Sequence, residues 1–326
     1  MVALTAPAPP RSRWSIDVLI PVLIFAILAA VPLAILYGAG NYVLALFTRI
    51  MIFAIAAVAL DLLIGYGALV SFGHAAFVGL GAYAVGILSA HGFGDALISL
   101  PVALAASALF ALVTGAVCLR TSGVYFIMIT LAFSQMVFFT ASSLAPYGGD
   151  DGLTIKVRNT VAGFTLLQDE RAFYYVVFAI LLAVYLLCRT LIGSRFGRVF
   201  CGARENPVRM ASVGYEIFRY QLVAYVIAGA IGGVSGFLLA NAAEFVSPAY
   251  MSWQRSGELV IMVLMGGMGT LYGAILGAAA FILAEEWLAG LTEHWKMIFG
   301  PLLVLIVLFA RGGLVGVFLR FSRSGR

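Results

Sequence analysis

Residues 96–119 read ALISLPVALAASALFALVTGAVCL, 24 residues without one charge. A helix crosses about 30 Å of hydrocarbon with roughly 20 apolar residues. The run is continuous rather than alternating, which excludes a strand of a transmembrane β-barrel. Outward from it, further charge-free stretches occupy 18–48, 62–94, 121–149, 172–188, 220–243, 259–284 and 297–310. Within a bilayer the backbone must satisfy its own hydrogen bonds, so these stretches read as helices. Spans are expected near 18–36, 43–64, 72–90, 98–118, 123–144, 173–190, 220–241 and 297–318, with an interrupted segment at 257–287. The expected fold is an all-α polytopic membrane protein. It has about nine hydrophobic segments, eight clear spans plus a broken or re-entrant pair, in one transmembrane domain over 1–326.

Composition agrees. Of 326 residues, 63% are hydrophobic and 10% charged, against about 45–50% and 25% in a soluble domain. A water-soluble fold would lack the polar side chains to cover its surface. Disorder, a disulfide scaffold and a nucleic-acid binder are excluded on the same ground. Cys118, Cys188 and Cys201 form no C-x-x-C pair, and His74, His91 and His294 lie far apart, so no metal site is expected. Arg11 and Arg13 before the first apolar run resemble a signal peptide. The run is long, contains Pro21 and Pro32 and lacks an A-x-A site, which favours an uncleaved helix.

Basic residues in short loops set the orientation. With the N-terminal segment 1–17 cytoplasmic, the inner loops are Arg120, residues 193–219 at net +3 and the basic end 311–326 at +4. The outer loops are Asp95, residues 145–172 at −1, 242–258 at −1 and 285–296 at −2. Both termini are then cytoplasmic, provided 257–287 begins and ends outside. Glycines at 266, 267, 269, 273 and 277 divide that segment into pieces too short for two comfortable spans. Two half-helices or two short tilted spans satisfy the parity. Broken helices survive in membranes only beside protein or a water-filled cavity, which places this break on a transport pathway.

Enzyme chemistry has no visible carrier. Lys156 and Lys296 are the only lysines and neither completes G-x-x-x-x-G-K-[ST], so the chain has no P-loop. Paired carboxylates, H-E-x-x-H and a nucleophile elbow are also missing. The stretch 65–83, GYGALVSFGHAAFVGLGAY, has two readings. Its glycines allow close helix packing with Ser71 bonding across an interface. Alternatively it is an unwound pathway segment, with Ser71, Gly73 and His74 near free N–H groups; His74 then reads as hydrogen-bonded structure more than as a proton carrier. In 121–136, TSGVYFIMITLAFSQM, the residues Tyr125, Thr130 and Gln135 serve interhelical hydrogen bonds or line a cavity. Gly266, Gly267 and Gly269 join these pathway candidates. Arg49 and Asp61, ionisable residues near the ends of the second span, read as structural groups that could reach water by snorkelling more than as transport chemistry. In 193–219, Asn206-Pro207 reads as a helix start and Gly214 as its stop. That short helix suits docking to another protein or rests as a basic loop beside anionic lipid.

These motifs, with GGDDGL (148–153), SRFGRVFCGARENPVRMASVG (194–214) and GELVIMVLMGGMGTLYGAILGA (257–278), occur in the order found in one family. Over about residues 40–318 the chain resembles branched-chain amino acid ABC transporter permeases of the LivM type. The resemblance implies a bacterial inner-membrane importer subunit. It also implies a second related permease, two cytoplasmic ABC ATPases that hold the ATP and Mg2+, and a periplasmic substrate-binding protein. By the same resemblance Ala203, Arg204, Glu205, Asn206, Arg209 and Gly214 belong to the ATPase-coupling loop, and no cofactor is expected in this chain. Many relatives carry Asn where this chain has Asp61, and Gly-Gln where it has Ala68-Leu69. Related systems carry urea, amides or aromatic acids as well as hydrophobic amino acids. A stand-alone ion-coupled transporter and a membrane-embedded enzyme are the competing classes.

Overall fold

The computed structural model describes residues 16–35, 41–155, 157–161, 163–165, 167–292, 294, 297–301, 303 and 312–316. The helices are α1 (Ile16–Ile35), α2 (Asn41–Gly67), α3 (His74–Ala90), α4 (Ala96–Cys118), α5 (Val124–Ser143) and α6 (Glu170–Gly193). Two short helices follow, α7 (Arg195–Glu205) and α8 (Pro207–Ser212), then α9 (Ile217–Ala243), α10 (Trp253–Gly266) and α11 (Leu271–Leu291). Among the described residues, α2, α4, α5, α6, α9 and α11 are long and apolar enough to cross a membrane, and α1 and α3 carry shorter apolar stretches. Each expected span up to residue 241 falls on one helix within a few residues. The span expected at 297–318 lies largely outside the described residues, as do most of the N-terminal 1–17 and the basic end 311–326.

The interrupted segment needs a correction. It splits unequally: α10 has 14 residues, and α11 has 21 and extends past the expected end to Leu291. At 1.5 Å per residue α10 is about 21 Å long and α11 about 31 Å, so α11 is a full-length helix. The two are antiparallel. A Cβ on Gly266 would strike the Gly273 carbonyl, and one on Gly277 would strike the carbonyl of Met262. Both faces must therefore be bare for the hairpin to close.

Helices α2 and α9 form the centre. Two-thirds of their apolar windows (67%) is buried, against 28% for α4 and α6 and 22% for α5, whose apolar faces point outward. Lipid tails give no hydrophobic drive for helix association, so close contact and interhelical hydrogen bonds must supply it. Gly81 of α3 meets the Gly233 backbone, Gly236 meets the Val78 carbonyl, and Gly229 meets Ala111 of α4. Ser235 Oγ donates to the Ile52 carbonyl at 2.8 Å and Ser107 Oγ to the Phe77 carbonyl at 3.0 Å.

Loop 145–172 caps one end of the bundle. Its strand β1 (Leu153–Thr154) pairs antiparallel with β2 (Phe245–Val246), just after α9. Arg158 pairs with Glu244 at 3.0 Å and the Asn159 N–H donates to Asn241 Oδ1. Helices α7 and α8 lie at the opposite end.

Candidate functional site

The first break follows α2. Helix α2 ends at Gly67, and Ala68 turns the chain with a left-handed φ of 55°. Residues 68–73 then run back inside the bundle before α3 begins. The Phe72 N–H donates to Thr130 Oγ1 of α5 and the Ala75 N–H to Ser256 Oγ of α10, each at 3.2 Å. The Gly73 N–H donates to Ser71 Oγ at 3.2 Å. These hydroxyls take the place of water at a helix start that would otherwise be orphaned in the interior. Depth follows from α9. Gly232, which leaves room for Phe77 and the His74 ring, lies about 22 Å along α9 from Ile217. His74 is fully buried and meets Phe77 edge-on at 5.4 Å. A Cβ on Gly73 would lie 2.8 Å from the Thr130 carbonyl oxygen.

The second break joins α10 to α11. Gly267 and Gly269 take φ of 117° and 76°, conformations that glycine alone adopts without strain. Asp61 Oδ1 of α2 accepts the Gly269 N–H at 2.8 Å, and Thr270 Oγ1 donates to the Gly267 carbonyl at 2.7 Å. Asp61 does not snorkel to water; its side chain is fully buried. One turn on along α2, the Gly65 carbonyl accepts a hydrogen bond from Arg204. Helix α2, the α10–α11 turn and α7 therefore meet at one point.

Helix α7 is capped by Ser194, whose Oγ accepts the Gly197 N–H at 3.3 Å. Its inner face buries Val199, Phe200 and Ala203, with Phe200 against Gly67. Asn206 caps α8 by accepting the Arg209 N–H at 2.9 Å, Pro207 occupies the first turn, and Gly214 closes with φ of 97°. Glu205, Asn206 and Arg209 are exposed. So are Val208 (77%) and Val213 (68%), apolar side chains on a charged rim. The α8 boundaries match the sequence expectation. Helix α7 was not foreseen, although Phe196, Val199, Phe200 and Ala203 recur at helical spacing.

The remaining candidates separate. Thr130 is buried at the first break, whereas Tyr125 is 75% exposed near the start of α5. Gln135 is half-buried, and its Nε2 has no hydrogen-bond partner among the described residues. The sequence reading missed a cavity of about 330 Å3 toward the β1–β2 end. Arg49, Arg255 and Tyr250 line it together with Ile52, Phe53 and Leu239, and the Arg49 guanidinium lies over the Phe53 ring at 5.9 Å. Arg49 Nη2 lies 3.2 Å from Glu285 Oε2, and Arg255 Nη1 lies 2.6 Å from Glu258 Oε2. Burial raises the Tyr250 phenol's pKa, partly offset by the charges of Arg255 and Arg49. No His/Cys/Asp/Glu group among the described residues could hold a metal ion.

Residues 42–308 match the family described as branched-chain amino acid transport system, permease component. The high-affinity branched-chain amino acid transport system permease protein LivM of Salmonella typhimurium is 26% identical over 292 residues. That alignment covers 82% of this chain and 68% of the relative. The LivM protein of Escherichia coli is 27% identical over the same coverage. The autoinducer 2 import system permease protein LsrC of Enterobacter sp. is 26% identical over 261 residues, 76% of this chain and 72% of that protein. No solved structure matches.

Proposed function

We infer the function from one premise: this chain belongs to the branched-chain amino acid transport system permease family. It is a multi-pass membrane permease component, and the reading that follows concerns its machinery. It forms one half of the transmembrane part of an ATP-driven importer in the bacterial inner membrane. The other half is a second, related permease. Two cytoplasmic ATPases bind ATP and Mg2+, and a periplasmic binding protein delivers the solute. The permease works by alternating access, with 193–219 on the cytoplasmic face and 145–172 on the periplasmic face. Branched-chain or other hydrophobic amino acids are the cargo.

The observation that carries this reading is the junction of Arg204, Gly65, Asp61 and Gly269. Exposed α8 offers a handle, and α7 transmits its displacement. The Arg204 bond to Gly65 pulls on α2, and the Asp61 bond to Gly269 pulls on the α10–α11 turn. A chain without a P-loop has no motor of its own, so a handle tied to two helices fits a separate motor. The test is co-purification with the neighbouring ATPase subunits. They co-elute with the unaltered chain and are lost on Glu205→Arg or on deletion of 204–210. Retained ATPase and normal uptake in those variants would refute the docking role, and ion-driven uptake by this chain alone would establish a secondary transporter. The similarity to an autoinducer 2 import permease supports a second reading, with the same coupling and a different solute.

A further inference from the structure

A second cavity lies at the α7–α8 end of the bundle, where the end of α2, the end of α6 and the start of α11 come together. It holds about 280 Å3 and is lined by Arg189 of α6, by Tyr66, Tyr185 and Tyr272, and by Gly269. That volume falls just under the roughly 300–1,000 Å3 of small-molecule sites, which suits a headgroup rather than a whole lipid. Arg189 stands four residues before the end of α6, about 6 Å along the helix from Gly193. It is exposed and has no ion-pair partner among the described residues. An arginine in a span is costly in hydrocarbon, so its head seeks water or a counter-charge at the interface. The three tyrosines gather at the same level, where aromatic rings meet lipid headgroups. Leu182, Leu186 and Arg189 follow at i, i+4 and i+7, one stripe of α6. Leu182 is half-buried and Leu186 is exposed. The stripe is therefore cationic near the helix end and apolar toward the bilayer centre.

Charge narrows the ligand. Behind the cavity wall Asp61 accepts the Gly269 N–H, and Asp61 and Arg204 both meet Gly65, so that acid lies beside its own cation. Arg189 is left to a ligand from outside. A zwitterionic headgroup brings a cation that competes with the guanidinium for its phosphate. An anionic phosphodiester offers two oxygens to the guanidinium fork, and its acyl chains cover the leucines below. Basic pockets between spans on the cytoplasmic side suit such headgroups. We propose that this cavity binds the phosphate group of an anionic phospholipid of the cytoplasmic leaflet, with Arg189 as its cation and the acyl chains along Leu182 and Leu186. Gly269 both lines the cavity and is held by Asp61, so the bound headgroup braces the α10–α11 turn. The choice of leaflet rests on the reading of 193–219 as cytoplasmic; the binding chemistry stands without it.

The test puts a fluorescent reporter on the stripe. Leu186→Trp in the full chain, held in mixed micelles, is quenched by contact with lipids whose acyl chains carry bromine, and the quenching of the chain without that substitution is subtracted. Brominated phosphatidylglycerol is expected to quench at about fivefold lower concentration than brominated phosphatidylcholine, the effect of one arginine near an anionic headgroup. Arg189→Gln removes that difference. Arg198→Gln, at an exposed α7 position outside the cavity, keeps it. Should Arg189→Gln fail to fold, a second reporter decides with the arginine intact: Val113→Trp, at an exposed α4 position away from the cavity, should meet the two lipids nearly alike. Equal quenching by the two lipids at 186, a preference that survives Arg189→Gln, or an equal preference at 113 overturns the proposal. Relief of the quenching by millimolar inorganic phosphate at matched ionic strength assigns the cavity to free phosphate and overturns the lipid. Co-purification of the ATPases judges the importer separately: with ATPases bound and no lipid preference the site fails alone, and with the preference present and no ATPase bound the importer reading fails alone.

Discussion

The chain breaks at 68–73 and at 267–270 share a sequence signature, glycines inside an apolar run, and the fold secures them by different chemistry. Neutral hydroxyls close the first: Thr130 and Ser256 reach in from α5 and α10 to satisfy single N–H groups. The second is closed by the Asp61 carboxyl group. Asp61 spends Oδ1 on Gly269, and its Oδ2 has no hydrogen-bond partner among the described residues. A fully satisfied contact in low dielectric is quiet, while a half-satisfied buried carboxyl group is a high-stakes one. The first break thus fixes where α3 begins. The second ties α2 to the α10–α11 turn within one turn of the Arg204 contact, and under the proposed coupling it acts as a latch.

Substitutions can break that contrast, and the largest effect is expected at the hairpin. Gly266→Val drives a side chain into the Gly273 backbone, which cannot yield, and should cost about 3 kcal/mol or more. Gly73→Ala also meets backbone, but at 2.8 Å from the Thr130 carbonyl oxygen against 1.8 Å for Gly266 from that of Gly273, and its single methyl should cost clearly less. Thermal unfolding of the purified chain in detergent reads both, and equal losses would erase the distinction. Next comes Asp61→Leu, which orphans the Gly269 N–H and should destabilise by roughly 2 kcal/mol. Asp61→Asn keeps an acceptor and should cost under about 1 kcal/mol; denaturation midpoints that place Asn and Leu together would show that the bond to Gly269 is idle. Thr130→Val at the neutral break should cost about 1 kcal/mol through the Phe72 N–H. Smallest is a gain. Ala68→Gly relieves the left-handed φ and should stabilise by up to ~1 kcal/mol, read as a rise in the same midpoint.

Local features were legible in the sequence. Charge-free runs located the long helices up to α9, since a span must match the hydrocarbon thickness. The Asn206-Pro207 start of α8 was legible because a cap is a contact between near neighbours. The glycines of 65–83 left packing and an unwound segment open, and both occur: Gly81 packs on Gly233, while Ser71 and Gly73 belong to the broken stretch. What escaped depends on distant partners. Arg49 and Arg255 share a cavity only because α10 folds back beside α2. Asp61 looked free to snorkel because its position near a span end does not disclose that the α10–α11 turn covers it. Tyr125 and Thr130 lie five residues apart on α5, yet one is exposed and the other buried, a difference set by the neighbours of α5.

Uptake and ATP hydrolysis measured together in proteoliposomes holding the complete importer test the latch most directly. On the proposed coupling, leucine uptake should fall with Asp61→Leu while ATP hydrolysis continues, since α8 would still engage the ATPases and the α10–α11 turn would lose its bond to α2. Uptake that keeps its normal ratio to hydrolysis in that variant would contradict the account.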